Sequence, residues 1–321
     1  MAGAAGFIGR WVARALCARG AKVSLVVRNE KAAKPIFLKY GIHGDVFELD
    51  LQNLSAVVRL LQSVKPSITF NVTGYGMDRS EVDEKMAYQI NYHLVNVILE
   101  NITKRRDPKW PGQDIIHVGS ALEYGAIGGN LSEDSIPNPT TLYGVSKLAG
   151  TEGLTRYCRA FNIKGLTARL FTVYGPGERQ GRLLPSLIET ARTQKSLQLT
   201  SGQQKRDFIY IEDVAEGLLR LGVASAATGD IVNLATGHLT SVRKFAETAA
   251  NILYIPRDRL KFGEMPPLTE EMHHDQVTTK RLTRLTEWFP PTWIAEGIRK
   301  TADKVFNSDS AFHDYQNRVR K

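Results

Sequence analysis

Tyr143 and Lys147 stand four residues apart in the run Tyr143-Gly-Val-Ser-Lys147, a spacing that puts both side chains on one face of a helix. A lysine ammonium beside a phenol favours the phenolate, so the pairing is expected to draw the tyrosine pKa from ~10 toward working pH. A phenol tuned in this way is a general acid/base for a carbinol or carbonyl oxygen. Ser120 stands 23 residues earlier, just after an apolar run at 114–118 that reads as a strand. From a strand end its hydroxyl can hydrogen-bond the same oxygen. A lone YxxxK also decorates many ordinary helices; joined to a strand-end serine it becomes the strongest chemical signal in the chain.

A second signal lies at the start. Gly3-Ala-Ala-Gly6-Phe7-Ile8-Gly9 opens directly into a helical pattern at 11–19. Glycines there permit a tight turn and let backbone N–H groups approach a pyrophosphate at a helix N-terminus. Such a loop should follow a strand, yet only Met1 and Ala2 precede Gly3. The central strand of the sheet is therefore expected to be absent from this sequence, with truncation favoured over another segment filling the slot. The next strand ends Val26-Val27-Arg28. A free ribose 2′-hydroxyl usually meets Asp or Glu at that place, and an Arg suits a 2′-phosphate. With Val27 there and Arg28 beside it, NADP(H) is expected over NAD(H); the bland alternative is a surface arginine at a strand end. Asp50 and Leu51, after the third strand, join the candidate cofactor residues.

These residues need a frame. Short apolar runs at 22–27, 46–49, 67–72, 114–118 and 166–170 alternate with helical patterns at 11–19, 54–63, 81–99 and 144–161. Alternation of this kind predicts βαβ units and a parallel sheet. Beyond Tyr174 the pattern loosens into helices near 184–192, 214–223 and 242–253 and strands near 197–200 and 208–211. The fold class is α/β: a Rossmann-type doubly wound parallel sheet, first strand apparently missing, with a smaller mixed α/β substrate domain. The dinucleotide-binding part covers 1–172 with 207–235 returning to it, the substrate part 173–206 and 236–306, and 307–321 is a polar tail.

Composition removes other classes. At 321 residues, 42% hydrophobic and 23% charged, the chain is neither disordered nor collagen-like. Cys17 and Cys158 form no CxxC pair, which excludes a zinc ribbon or disulfide scaffold. The net charge of +9 invites a nucleic-acid reading, but the densest basic run, Lys104-Arg105-Arg106, has no interleaved aromatics. No nucleic-acid partner is expected, and the charge is read as a general pull on anionic ligands. Apolar runs are too short for a membrane span and no secretory signal order is present, so a cytoplasmic location is the default expectation. The adjacent His273 and His274 lack metal-site spacing, and no metal is expected. Glu123 and Tyr124 suit either substrate contact or packing at the strand end.

With HVGSALEYG at 117–125, LYGVSKLAGTE at 142–152, RLFTVYGPGE at 169–178, KRDFIYIEDVAEGL at 205–218 and NLATG at 233–237, the chain resembles the extended short-chain dehydrogenase/reductases that act on nucleotide sugars. The resemblance runs from Gly3 to about Val305. It implies Tyr143 as acid/base, Lys147 on the nicotinamide ribose and Ser120 on the sugar oxygen. It further implies Arg206 on the substrate diphosphate, Leu184 and Pro185 lining the nucleotide pocket, and a homodimer. The 4,6-dehydratases of that family carry an Asp-Glu pair after the catalytic hydroxyl; Ala121 and Leu122 stand here. GSALEYG looks instead like the corresponding segment of 4-keto-6-deoxy-sugar reductases. The expected activity is hydride reduction of a nucleotide-diphospho-4-keto-sugar. The alternatives are a UDP-glucose-type 4-epimerase with retained NAD, and a non-catalytic or truncated binding protein on the same scaffold.

Overall fold

A computed structural model describes residues 1–78, 80–193, 195–226, 228–266 and 274–306. His273 and the 307–321 tail lie outside the described residues.

The first half builds the cofactor side. Helix α1 (Phe7–Ala18) leads to strand β1 (Ser24–Val27), α2 (Glu30–Tyr40), β2 (Asp45–Glu48), α3 (Leu54–Val64) and β3 (Thr69–Asn71). Then come α4 (Glu84–Tyr88), a π-helical turn at Gln89–His93, α5 (Leu94–Arg105), β4 (Ile115–Ser120), β5 (Asn130–Leu131), α6 (Leu142–Phe161) and β6 (Gly165–Leu170). The second half contains β7 (Thr172–Tyr174), α7 (Leu183–Thr193), β8 (Leu197–Leu199), β9 (Lys205–Tyr210), α8 (Ile211–Val223) and β10 (Asp230–Leu234). It closes with β11 (Leu239–Ser241), α9 (Val242–Leu253), β12 (Leu260–Phe262), β13 (Gln276–Val277), α10 (Lys280–Thr286) and α11 (Ile294–Phe306).

Strands β3, β4, β6 and β10 form a parallel sheet, and β1 pairs parallel with β2. The two pieces meet through one residue: Ala2 bridges Val26 on one side and Asn71 on the other. Ala2 thus stands where the central strand was expected. Below it, between β1 and β3, lies a cavity of about 650 Å³ with Met1, Val26, Leu60, Phe70 and Ile98 in its wall. The Met1 amino group donates to Ser24 O at 2.7 Å and is fully buried, which lowers its pKa to about 6.

Both faces of the sheet are covered. Val118, Leu166 and Ala168 pack against Val214 and Leu218 of α8, while Ile115 meets Leu94, Ile98, Leu154 and Cys158 of α5 and α6. The helix read at 81–99 is instead divided, because Asp83 caps α4 on Met86 N and the π turn then shifts the register into α5. Helix α2 escaped the sequence reading, since Pro35 lies inside it; Asn29 caps its start on Ala32 N, and left-handed Gly41 ends it. On the other side, β7, β9 and β11 form a small mixed sheet backed by α9, whose Phe245 stacks on Phe208. Among the described residues, no helix is long and apolar enough to cross a membrane.

Candidate active site

The carboxyl ends of the parallel strands gather the predicted residues. On the cofactor side, Gly3 adopts φ +80° and Gly6 N donates to Gly3 O at 3.1 Å. A β-carbon at Gly9 would lie 2.0 Å from Gly3 O, so only glycine lets α1 close on its own loop. Gly6 caps α1 without any side-chain hydrogen bond, which leaves the first-turn amides at Phe7 and Ile8 to face an anion. This cradle fits a dinucleotide pyrophosphate. Arg28 is exposed at the end of β1; Asp50 and Leu51 follow β2, where Asp50 Oδ1 accepts from Gln52 N at 3.0 Å. One acid there was not anticipated. Glu48 Oε2 accepts from Glu30 N at 2.7 Å, placing a carboxylate at the start of α2 next to Arg28 in sequence.

Ser120, Tyr143 and Lys147 come together as expected. Thr141 caps α6 by accepting from Gly144 N at 2.9 Å, and the helix then presents Tyr143 and Lys147 on one face. A β-carbon built at Gly74 would stand 3.6 Å from the Tyr143 hydroxyl and 3.7 Å from Lys147 Nζ, so both polar ends converge there. The Ser120 hydroxyl lies near enough to Tyr143 to favour its ionised form. Lys147 is 1% exposed and its Nζ donates to Thr73 O at 2.7 Å and Val118 O at 2.9 Å. Burial lowers its pKa to about 8, against the Glu123 charge, which raises it.

The expected fall in the tyrosine pKa is not what this pocket produces. Burial and then the Glu123 charge push Tyr143 well above 10; the Ser120 hydroxyl and the Arg182 charge act the other way, and Glu81 adds to the rise. Lys147 is turned onto two backbone carbonyls and is not among the groups that lower it. Tyr143 is thereby held as a protonated phenol in this pocket.

Four supporting residues, Glu123, Tyr124, Arg169 and Asn91, carry weight that spacing did not reveal. Glu123 Oε1 accepts from Ser120 N at 2.8 Å while Oε2 accepts from Arg169 Nε at 2.8 Å. The Arg169 guanidinium lies 4.4 Å over the Tyr124 ring, whose hydroxyl donates to Asn233 Oδ1 at 2.7 Å. Glu123 and Tyr124 are fully buried, so packing beneath the site, rather than exposure to a substrate, is their setting. The fourth, Asn91, sits in the π turn. Its side chain takes Tyr75 N at 3.1 Å, gives to Tyr75 O at 2.8 Å and gives to Ser146 Oγ at 2.9 Å, tying the Tyr75 loop to α6. A π turn at a functional site is a recurrent association, but polar residues inside a helical pattern gave no sign of it.

Among the predicted substrate residues, Leu184 and Arg206 share one cavity of about 130 Å³ with Thr172, Glu178 and Arg182. Pro185 lies next to Leu184 in the first turn of α7 and does not line that cavity. Among the described residues, no group of three metal-type ligands occurs.

The NAD dependent epimerase/dehydratase family profile matches residues 1–235. The dTDP-6-deoxy-L-talose 4-dehydrogenase (NAD(P)(+)) of Kitasatospora kifunensis is 27% identical over 313 residues, covering 93% of this chain and 92% of that protein. CDP-abequose synthase of Salmonella muenchen is 22% identical, covering 94% and 95%. Among solved structures, UDP-glucose 4-epimerase of Thermotoga maritima with UDP-glucose superposes with a TM-score of 0.83 at 18% identity, covering 96% of this chain and 98% of that one. UDP-glucuronic acid 4-epimerase of Bacillus cereus with NAD gives 0.79 at 22% identity, covering 97% and 98%. Five sequence motifs, the glycine cradle and the Ser120–Tyr143–Lys147 cluster agree with the profile match: this chain belongs to the NAD dependent epimerase/dehydratase family.

Proposed function

We propose that the protein reduces a nucleotide-diphospho-4-keto-sugar with NADP(H), Tyr143 serving as general acid. The observation that carries this reading is the convergence of the Tyr143 hydroxyl and Lys147 Nζ near Ser120, which is followed in sequence by Ala121 and Leu122. That arrangement can donate one proton to a carbonyl oxygen, and it has no carboxyl pair after Ser120 to remove water from the sugar. The relatives matched over more than nine-tenths of this chain include the 6-deoxy-L-talose dehydrogenase and the abequose synthase, both named for nucleotide-linked sugars.

When bound, the nicotinamide cofactor supplies the hydride. The Gly3–Gly9 loop and α1 would hold its pyrophosphate, Arg28 a 2′-phosphate, and Lys147 its remaining N–H toward the ribose. Ser120 orients the substrate carbonyl, and Tyr143 delivers a proton to its oxygen as the carbon is reduced. Arg206 and Leu184 would hold the nucleotide diphosphate. The same reading assigns 173–206 and 236–306 to the substrate half, and a homodimer built on the 81–99 segment and α6.

One observation favours a second reading. The Glu48 carboxylate at the end of β2, held by the Glu30 amide, suits a free ribose hydroxyl and hence NAD retained by a 4-epimerase. The experiment is to assay oxidation of dTDP-6-deoxy-L-talose with NADP+ and with NAD+, alongside conversion of UDP-glucose without added cofactor. Turnover with added NADP+ and none in the second assay supports the reductase. Epimerisation by protein purified with nicotinamide already bound would replace it.

A further inference from the structure

The loop between β7 and α7 carries a carboxyl group that the proposed reaction leaves unused. Gly175-Pro176-Gly177-Glu178 is fastened to the cofactor side: Trp11 Nε1 donates to Pro176 O at 3.0 Å and Tyr40 OH donates to the same oxygen at 3.3 Å. Gly177 adopts φ +88°, and a β-carbon there would lie 2.7 Å from the Tyr40 hydroxyl and 2.9 Å from the Arg10 guanidinium. The tight turn, closed by Glu178 N donating to Gly175 O at 3.2 Å, sends the Glu178 side chain inward. There it is 7% exposed, in the wall of the 130 Å³ cavity it shares with Thr172, Arg182, Leu184, Arg206 and Phe208. Arg182 Nε stands 3.6 Å from Glu178 Oε1. Glu178 Oε2 is buried and has no hydrogen-bond partner among the described residues.

A buried acceptor without a donor is unfavourable and rare enough to require a reason. We infer that Glu178 is a specificity-determining residue whose Oε2 accepts a hydrogen bond from a hydroxyl of the bound sugar. This rests on the nucleotide-sugar reading given above. Three features point to a sugar hydroxyl. A carboxylate repels phosphate, so in a cavity that also holds two guanidinium groups it needs a donor from another part of the ligand. Arg182, which stands 3.6 Å from Glu178 Oε1, is also one of the charges that act on the Tyr143 phenol. The loop that aims Glu178 is anchored to the helix that begins at the cofactor cradle, which fixes the carboxyl relative to the cofactor.

The test is calorimetric titration of the NADP+-loaded protein with UDP-glucose, dTDP-glucose, UDP and dTDP. It compares wild type with Glu178→Met, an apolar side chain of similar length, and Glu178→Gln, which keeps an acceptor. Circular dichroism establishes that both variants fold. A site built to bond a hydroxyl loses strongly when one side of the bond is removed. Glu178→Met should weaken whichever nucleotide sugar binds by at least about tenfold, leave the parent nucleoside diphosphate within about twofold, and be partly rescued in Glu178→Gln. Unchanged sugar binding by Glu178→Met, or an equal loss for sugar and diphosphate ligands, overturns this inference alone. Wild-type protein that binds none of the four overturns the nucleotide-sugar reading, and this inference with it.

Discussion

Arg169 Nε donates to Glu123 Oε2 at 2.8 Å in a setting where neither side chain is more than 1% exposed. The other carboxylate oxygen of Glu123 holds the Ser120 amide at 2.8 Å, so a buried ion pair underlies Ser120. Removing one partner strands an uncompensated charge, which typically costs about 3–5 kcal/mol, whereas replacing both by neutral groups is often close to neutral. Glu123→Gln and Arg169→Met should each lower stability by that amount, and the double variant should recover most of it. Denaturant midpoints measure this; single variants within about 1 kcal/mol of wild type would show the pair to be unimportant.

The high pKa of Tyr143 shapes the pH dependence. A phenol held well above 10 stays protonated at pH 9 and causes no alkaline loss of reductive turnover. Lys147, with a pKa of about 8, discharges in that range instead. The reductive kcat/KM should therefore fall above pH 8, and Lys147→Arg, where it retains activity, should remove that limb. Tyr143→Phe should lose roughly 10²–10⁴-fold at every pH, the usual contribution of a positioned general acid. Full turnover by Tyr143→Phe would refute its assignment.

The proposed cofactor choice rests on two charged side chains, Arg28 after β1 and Glu48 at the end of β2. Arg28 would pair with a 2′-phosphate, a charge-assisted contact of about 1.5–3 kcal/mol, so Arg28→Ala should weaken NADPH by at least about tenfold and NADH little. Glu48 holds the Glu30 amide at 2.7 Å and opposes a second anion there. Glu48→Gln should strengthen NADPH by about two- to fivefold, the scale of an exposed charge interaction. Fluorescence titration of both variants with both nucleotides decides; an Arg28→Ala variant that loses NADH equally would remove the basis for NADP(H).

The parallel sheet and the Ser120–Tyr143–Lys147 cluster were legible because they depend on local periodicity and short spacings. The i,i+4 relation of Tyr143 and Lys147 survives in any helix, and Ser120 ends a run of apolar residues that a buried parallel strand requires. What sequence could not supply was the partner across space. Glu123 and Arg169 are 46 positions apart, and Asn91 meets Ser146 across 55. The direction of the Tyr143 shift was missed for the same reason: proximity to Lys147 was readable, but burial and the turning of its ammonium onto two carbonyls were not. Helix α2 was hidden by Pro35, whose breaking tendency yields to the cap at Asn29 and the packing of Phe37.

Glu178 links stability to pH. Burial raises its pKa from 4.5 to about 7, while the Arg182 charge and the Gly175 N–H favour the ionised form and only partly offset it. Between pH 4.5 and 7 the folded protein holds a proton here that the unfolded chain has released. Stability from this group is therefore full below 4.5, declines as pH rises, and is lost above about 7. The whole window corresponds to about 3 kcal/mol, taken as an upper bound. Glu178→Gln removes the titration, so it should be more stable than wild type at pH 8 by up to that amount and show no advantage at pH 4.5. Denaturant melts at the two pH values measure the difference. A pH-independent gap between the two proteins would mean that Glu178 does not titrate in this window. A gain confined to alkaline pH, together with weakened sugar binding in Glu178→Met, would mark a side chain kept at a cost in stability for what it binds.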